Sequence, residues 1–162
     1  EGIVSTYVHM GGSVGVMVFF DTDDATAAKP EFKVMGKDVA MQIAAMSPLY
    51  LCRDEVPADV IEHEKSINLA QIKEDPKMAS KPEKVIEGII NGKIAKFCKE
   101  NCLLEQQFVK DGDINVAKYI DNAAKELGAS IKATGFVRYA KGEGLQKKEE
   151  NYAEEIAKMT GK

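Results

Sequence analysis

Ile3-Val4-Ser5-Thr6-Tyr7-Val8-His9-Met10-Gly11-Gly12-Ser13-Val14-Gly15-Val16-Met17-Val18-Phe19-Phe20 is the stretch that decides the fold class. Ile3 to His9 and Val14 to Phe20 are rich in strand-forming residues and flank Met10-Gly11-Gly12-Ser13. Glycine adopts positive φ at little cost, so the centre reads as the turn of an antiparallel hairpin. Val14, Val16 and Val18 alternate with Gly15, Met17 and Phe19. The second strand is therefore expected to be covered, at least in part, on both faces.

Beyond the hairpin, Asp21 to Ala28 reads as a polar, acidic loop. From Pro30 the period changes, with Phe32, Met35, Val39, Ile43 and Met46 forming one stripe of an amphipathic helix that Ser47-Pro48 ends. Pro57 opens a second helix running to about Lys73, with a weak stripe through Val60, Ile61, Ile67 and Ala70. After a polar break, Ser80-Lys81-Pro82-Glu83 has the form of a capping box. Val85, Ile86, Ile89, Ile90, Ile94, Phe97, Cys98 and Cys102 then make a wide apolar face. Gly88 and Asn91-Gly92 allow that stretch to be two shorter helices. Two helices joined by a short link favour an antiparallel hairpin. Leu103 to Asp111 is irregular or extended, Val116 to Leu127 is helical with Gly128 as its C-cap, and Ile131 to Tyr139 supplies a third strand. Tyr152, Ile156 and Met159 place a narrow stripe on a short, charged final helix. The class is α+β: a three-stranded antiparallel sheet packed with helices, an inserted antiparallel helical hairpin and a short C-terminal helix.

The 162 residues are 44% hydrophobic and 30% charged, which suits a packed core with a solvated surface. Lys+Arg 22 against Asp+Glu 26 leaves a net charge of -4, and the bases are scattered among acids. No stripe follows a phosphate backbone, so direct nucleic-acid binding is not expected. No apolar run approaches the ~20 residues of a membrane span, and no leader is evident, so no membrane association is expected. Cys52, Cys98 and Cys102 have no framework spacing and fit a reducing compartment. The strand-like run beginning beside Glu1 reads as part of something longer.

The most tempting chemistry is Phe20-Asp21-Thr22-Asp23, a strand ending in Asp-x-Asp like the nucleophile loop of haloacid-dehalogenase phosphatases. Asp111-Gly112-Asp113 is a partial echo of their metal loop. Ala25 stands where that motif carries Thr or Val, and the alternation of a parallel sheet is missing; a Mg-dependent phosphatase using Asp21 and Asp23 is kept only as an alternative. A calcium loop fails at Thr26 and Phe32. His63 sits among charged residues and reads as surface. His9 closes a strand beside the turn, either as an exposed strand end or as a contact group on a protruding loop. Cys98 and Cys102 share a helix face and read as small buried groups, since no second Cys/His pair completes a zinc site. No metal and no cofactor is expected. The final helix, the helical hairpin and the apolar run Leu103 to Val109 point to binding, or else pack within the chain.

Several stretches together resemble elongation factor Ts: Tyr7 to Val16, Lys37-Asp38-Val39-Ala40-Met41-Gln42-Ile43-Ala44-Ala45, Lys81-Pro82-Glu83-Lys84, Leu103-Leu104-Glu105-Gln106-Gln107-Phe108-Val109-Lys110-Asp111, Phe136-Val137-Arg138-Tyr139, Gly142-Glu143-Gly144-Leu145, and Asn151 to Ala157. They cover nearly the whole chain in order. The resemblance implies a discontinuous core subdomain (1–56 and 102–141), an inserted helical hairpin or dimerisation domain (57–101) and a C-terminal helical module (142–162). It implies a guanine-nucleotide exchange factor, not an enzyme, that binds elongation factor Tu in the cytoplasm (an organellar matrix or stroma is also compatible) and promotes GDP release during translation elongation. His9 matches the family's hairpin histidine and Val109 its contact valine. Met10, Phe108, Tyr152 and Ile156 are expected beside them as partner-binding residues, and a homodimer through the helical hairpin is open. The family's Thr-Asp-Phe-Val motif has no clear match: Asp23-Asp24-Ala25-Thr26 keeps an Asp and lacks the Phe. That implies the second subdomain of a two-copy factor. A pure interaction or dimerisation module without exchange activity is the further alternative.

Overall fold

The computed structural model describes residues 2–144. Strands β1 (Ile3–His9) and β2 (Val14–Asp21) form the hairpin, and β5 (Lys132–Ala140) joins β2 on its other side, so the antiparallel sheet runs β1-β2-β5. The hairpin closes on the His9–Val14 pair. The turn needs positive φ at three successive residues, Met10 (49°), Gly11 (62°) and Gly12 (96°). Two of them are glycine, as the geometry favours; Met10 is not.

Helix α1 (Asp24–Ala28) replaces the loop expected after β2. Asp23 caps it, accepting from the Thr26 amide (2.8 Å) and the Thr26 hydroxyl (2.7 Å). Acidic residues read as solvated loop are here an N-cap followed by a short helix. Helix α2 (Pro30–Met46) starts with proline in its first turn and ends at Ser47, whose left-handed φ of 48° closes the last turn by donating to the Ile43 carbonyl. Phe32, Met35, Val39 and Ile43 are buried as their spacing predicts, but Met46, the last residue of the helix, is exposed. Val16, Val18 and Phe20 project from β2 into the same core, where Phe20 meets Phe32 edge-to-face at 5.5 Å. Helix α6 (Val116–Leu127) adds Val116 and Ile120 and stops at Gly128 (φ 63°).

The covering is one-sided. Among the outward residues of the sheet, Val4, Val8, Met17 and Tyr139 are exposed, while Phe19 and Val137 are half-buried. The expectation that β2 is covered on both faces therefore holds for its inner face and only weakly for its outer one.

Helices α3 (Ala58–Glu74) and α5 (Glu83–Asn101) form a pair linked by the short α4 (Pro76–Ala79). Val60 and Ile61, early in α3, and Ile94 and Phe97, late in α5, pack against the same small core, so the helices run antiparallel. Helix α5 is continuous through Gly88 and Asn91-Gly92. The expected capping box does not form: Pro82 is the N-cap, and the Ser80 hydroxyl donates back to the Lys77 carbonyl. Apart from Ile72, burial in the pair is confined to its root, where Val56, Cys98 and Cys102 form a small separate core. There residues 49–51 run beside 101–104: Leu49 and Tyr50 donate to the Asn101 carbonyl, Leu103 to that of Tyr50 and Leu104 to that of Leu51. Arg53 and Glu105 add a bidentate ion pair (2.8 and 3.1 Å). A two-stranded ribbon, β3 (Gln107–Phe108) and β4 (Asp111–Asn115), leads from this root into α6. The expected final helix, with Tyr152 and Ile156, lies outside the described residues.

Two substitutions probe this packing. A Cβ at Gly36 on α2 would collide with the Ser5 hydroxyl and lie 2.9 Å from Ser5 Cβ, whereas one at Gly88 on α5 meets nothing within 4 Å. Gly36→Ala should cost about 1–3 kcal/mol in urea unfolding, partly recovered by adding Ser5→Gly. Gly88→Ala should gain about 0.5–1 kcal/mol. Burial, reinforced by Cys98, pushes the Cys102 thiol up to about 12. In mildly alkaline iodoacetamide Cys52 should alkylate, while Cys98 and Cys102 stay unmodified until denaturant is added, as mass spectrometry of the peptides will report.

Candidate functional site

Helix α2 has a polar flank as well as an apolar stripe. Asp38 and Gln42, one turn apart, face the segment that follows the root of the helical pair. Gln42 is fully buried. Its Nε2 donates to the Gln106 side-chain oxygen (3.2 Å) and the Gln107 carbonyl (3.0 Å), and its Oε1 accepts from the Val109 amide (2.8 Å). Gln106, also buried, donates to the Glu100 carbonyl at 2.8 Å, so the network reaches the end of α5. Buried amides are stable only when paired this way. Asp38 accepts from Lys110 Nζ (2.6 Å) and from the Tyr119 hydroxyl (2.9 Å). Burial, then the bond to Asp38, holds the Tyr119 hydroxyl well above its ordinary pKa, so it remains a proton donor in this contact.

Phe108 ends β3 and Val109 opens the turn to β4, and their side chains point opposite ways. Phe108 is 3% exposed and stacks on Tyr119 with centroids 4.0 Å apart. Val109 is 45% exposed. Of the two residues expected at a partner surface here, Phe108 is therefore corrected to a core anchor whose burial turns Val109 outward. Asp38, Gln42 and Gln106 were not predicted as site residues. The available signal was the Asp38–Gln42 spacing, which sets two polar groups beside the buried Val39 and Ile43.

The second exposed region is the hairpin tip. Met10 is 73% exposed in its left-handed conformation, and Val8 is 67% exposed beside it. His9 is exposed but oriented: its ring stacks on Tyr7 at 5.8 Å, and Nδ1 lies 3.0 Å from the Tyr7 hydroxyl, which donates when the imidazole carries its proton on Nε2. Tyr7 packs against the core, so the histidine is held by a rigid neighbour. A large apolar side chain displayed on a strained turn favours recognition over packing. Tyr152 and Ile156, the other expected contact residues, lie outside the described residues.

The carboxylates do not assemble into a reaction centre. Asp23 is occupied as the cap of α1, with Asp21 exposed at the end of β2, and Asp111 accepts from the Asp113 amide at the start of β4. His63 is exposed on α3. Among the described residues, no group of three or more His, Cys, Asp or Glu side chains is placed to hold a metal ion, and no helix is long and apolar enough to cross a membrane.

In class, displayed apolar residues on braced backbone suit a protein that binds other proteins. A family model described as Elongation factor TS matches residues 1–143. Elongation factor Ts of Clostridium botulinum strain Eklund 17B is 47% identical over 162 residues, which are 100% of this chain and 51% of that protein. That of Clostridium perfringens strain 13 is 45% identical over 162 residues, again 100% and 51%. The chain belongs to the elongation factor Ts family, and it spans about half the length of the curated relatives it matches.

The Asp23 cap has a pH signature. Its bonds to Thr26 lower its pKa from the ordinary 3.8. A depressed folded-state value means the stabilisation is present above 3.8 and is lost as pH falls through the folded-state pKa. Wild type should have a higher urea midpoint than Asp23→Ala at neutral pH, and the two should converge in acid.

Proposed function

We propose that this chain binds elongation factor Tu and promotes release of its GDP for exchange with GTP, acting through protein contact without making or breaking covalent bonds. Family membership over 1–143 carries the reading, and the outward Val109 beside the braced Gln106–Lys110 backbone supports it on the molecule itself. His9, Met10 and Val109 are the contact residues proposed within the described part, with Tyr152 and Ile156 added from the C-terminal stretch. The proposed organisation is a core of residues 1–56 and 102–141, an inserted helical hairpin at 57–101, and a C-terminal module at 142–162, working in the cytoplasm. Self-association through α3 and α5 belongs to the same proposal, supported by Ile67 and Val85, which are exposed on those helices.

The physical basis is differential affinity. A partner that binds the nucleotide-free GTPase more tightly than the GDP form weakens GDP by that same factor, because coupling is reciprocal. One observation favours a narrower second reading. Asp23-Asp24-Ala25-Thr26, the nearest match to the family's intruding motif, lacks its Phe and is a capped helix here. On that reading the chain anchors and does not itself accelerate exchange.

Timing the release of a fluorescent GDP analogue from elongation factor Tu, with and without the chain, separates these readings. Acceleration supports exchange, and association without acceleration supports an anchor. No association under nucleotide-free conditions overturns both. His9→Ala and Val109→Ala should each weaken association by roughly fivefold or more while leaving the urea midpoint nearly unchanged. Sedimentation of the chain alone tests self-association, which a Val85→Glu change should abolish.

A further inference from the structure

We propose that Gln42 is the positioning residue of the partner-binding segment: its buried carboxamide sets the backbone of Gln107 to Val109 and thereby the direction in which Val109 is displayed. The inference rests on the binding role proposed for Val109.

Satisfiability supports it. A glutamine carboxamide offers two donated hydrogens and an acceptor oxygen. Here one hydrogen goes to the Gln106 side-chain oxygen, the other to the Gln107 carbonyl, and the oxygen receives the Val109 amide. Every proton of the group is used, and the orientation of the amide follows: turning it over would set Nε2 against the Val109 N–H and Oε1 against two acceptors. Gln107 and Val109 are thus held through main-chain atoms by one side chain from another element. Gln42 is fully buried while Val109 is 45% exposed, so Gln42 touches no partner and acts only through the segment. Below Val109, stacking of Phe108 on Tyr119 fills the core. Beyond it, Asp38 takes the Lys110 ammonium. Neither contact reaches the Val109 amide, which among the described residues only Gln42 engages.

Two kinds of measurement test the proposal. In the wild-type chain, amide hydrogen exchange followed by NMR should show Val109 protected like the α2 amides, although its side chain is exposed. Gln42→Leu, of similar volume and without polar atoms, should lose that protection by at least about tenfold. Association with nucleotide-free elongation factor Tu should also weaken by about tenfold. In the Val109→Ala background the same change should add little further loss, because Gln42 acts through Val109. Gln106→Met, which removes one acceptor but leaves the Val109 bond, should keep the exchange protection. Fast exchange at Val109 in the wild type overturns the proposal without any variant being folded. Full additivity of Gln42→Leu and Val109→Ala, or unchanged association in Gln42→Leu, also overturns it. If wild type fails to associate, the function reading fails, and the exchange measurements still decide the role of Gln42.

Discussion

The depth at which α2 lies on the sheet is the constraint on which most of this structure depends. Gly36 carries no Cβ where Ser5 approaches, and Ala40 is likewise fully buried, so the helix settles close against β1 and β2. That closeness lets Phe32 reach Phe20 and brings Val39 and Ile43 down among Val16, Val18 and Leu103. Interiors packed at this density leave little room for adjustment. The same depth presents the polar flank of α2 at a fixed height, where Asp38 and Gln42 meet the segment from Gln106 to Lys110. A helix standing higher by the size of one methyl group would draw the Gln42 carboxamide away from Gln106, Gln107 and Val109. The core and the proposed contact surface are thus set by one close approach.

A different balance governs the helical pair. Its root is secured by main-chain hydrogen bonds between 49–51 and 101–104 and by a small core of Val56, Cys98 and Cys102. Further out, apart from Ile72, the facing residues of α3 and α5 are only half-buried. Stability is graded in such an arrangement: local opening costs least where few apolar groups are sealed from water. The outer turns are therefore the cheaper ones to open, whereas the root is joined to the contact segment by the Gln106–Glu100 bond. This separation fits a body that must hold one surface still while carrying an extension.

Much of this was legible in the residues. Period-two alternation around Met10-Gly11-Gly12-Ser13 marked the hairpin with its observed start and turn, and the period of α2, its Pro30 start and Ser47 end were equally plain. Gly128 marked the end of α6. The misreadings share a cause. Asp23 looked like solvated charge because nothing in composition says that Thr26 will fold back to it. Ser80 looked like a capping residue because the motif was complete, yet its hydroxyl found the Lys77 carbonyl first. Phe108 looked like a contact residue because it sits beside Val109; which of two adjacent residues faces inward depends on what lies across from them, here Tyr119.

Sequence alone determined the long helices and the three strands of the main sheet, their order and the family, because local periodicity, turn chemistry and the quoted motifs are properties of neighbouring residues. Tertiary structure alone decided that Phe108 is core while Val109 is displayed, that one face of the sheet stays open, and that Gln42 grips a segment 65 residues further along the chain. These outcomes depend on contacts between residues far apart in sequence, where burial makes each unpaired polar group costly and so selects one partner for it.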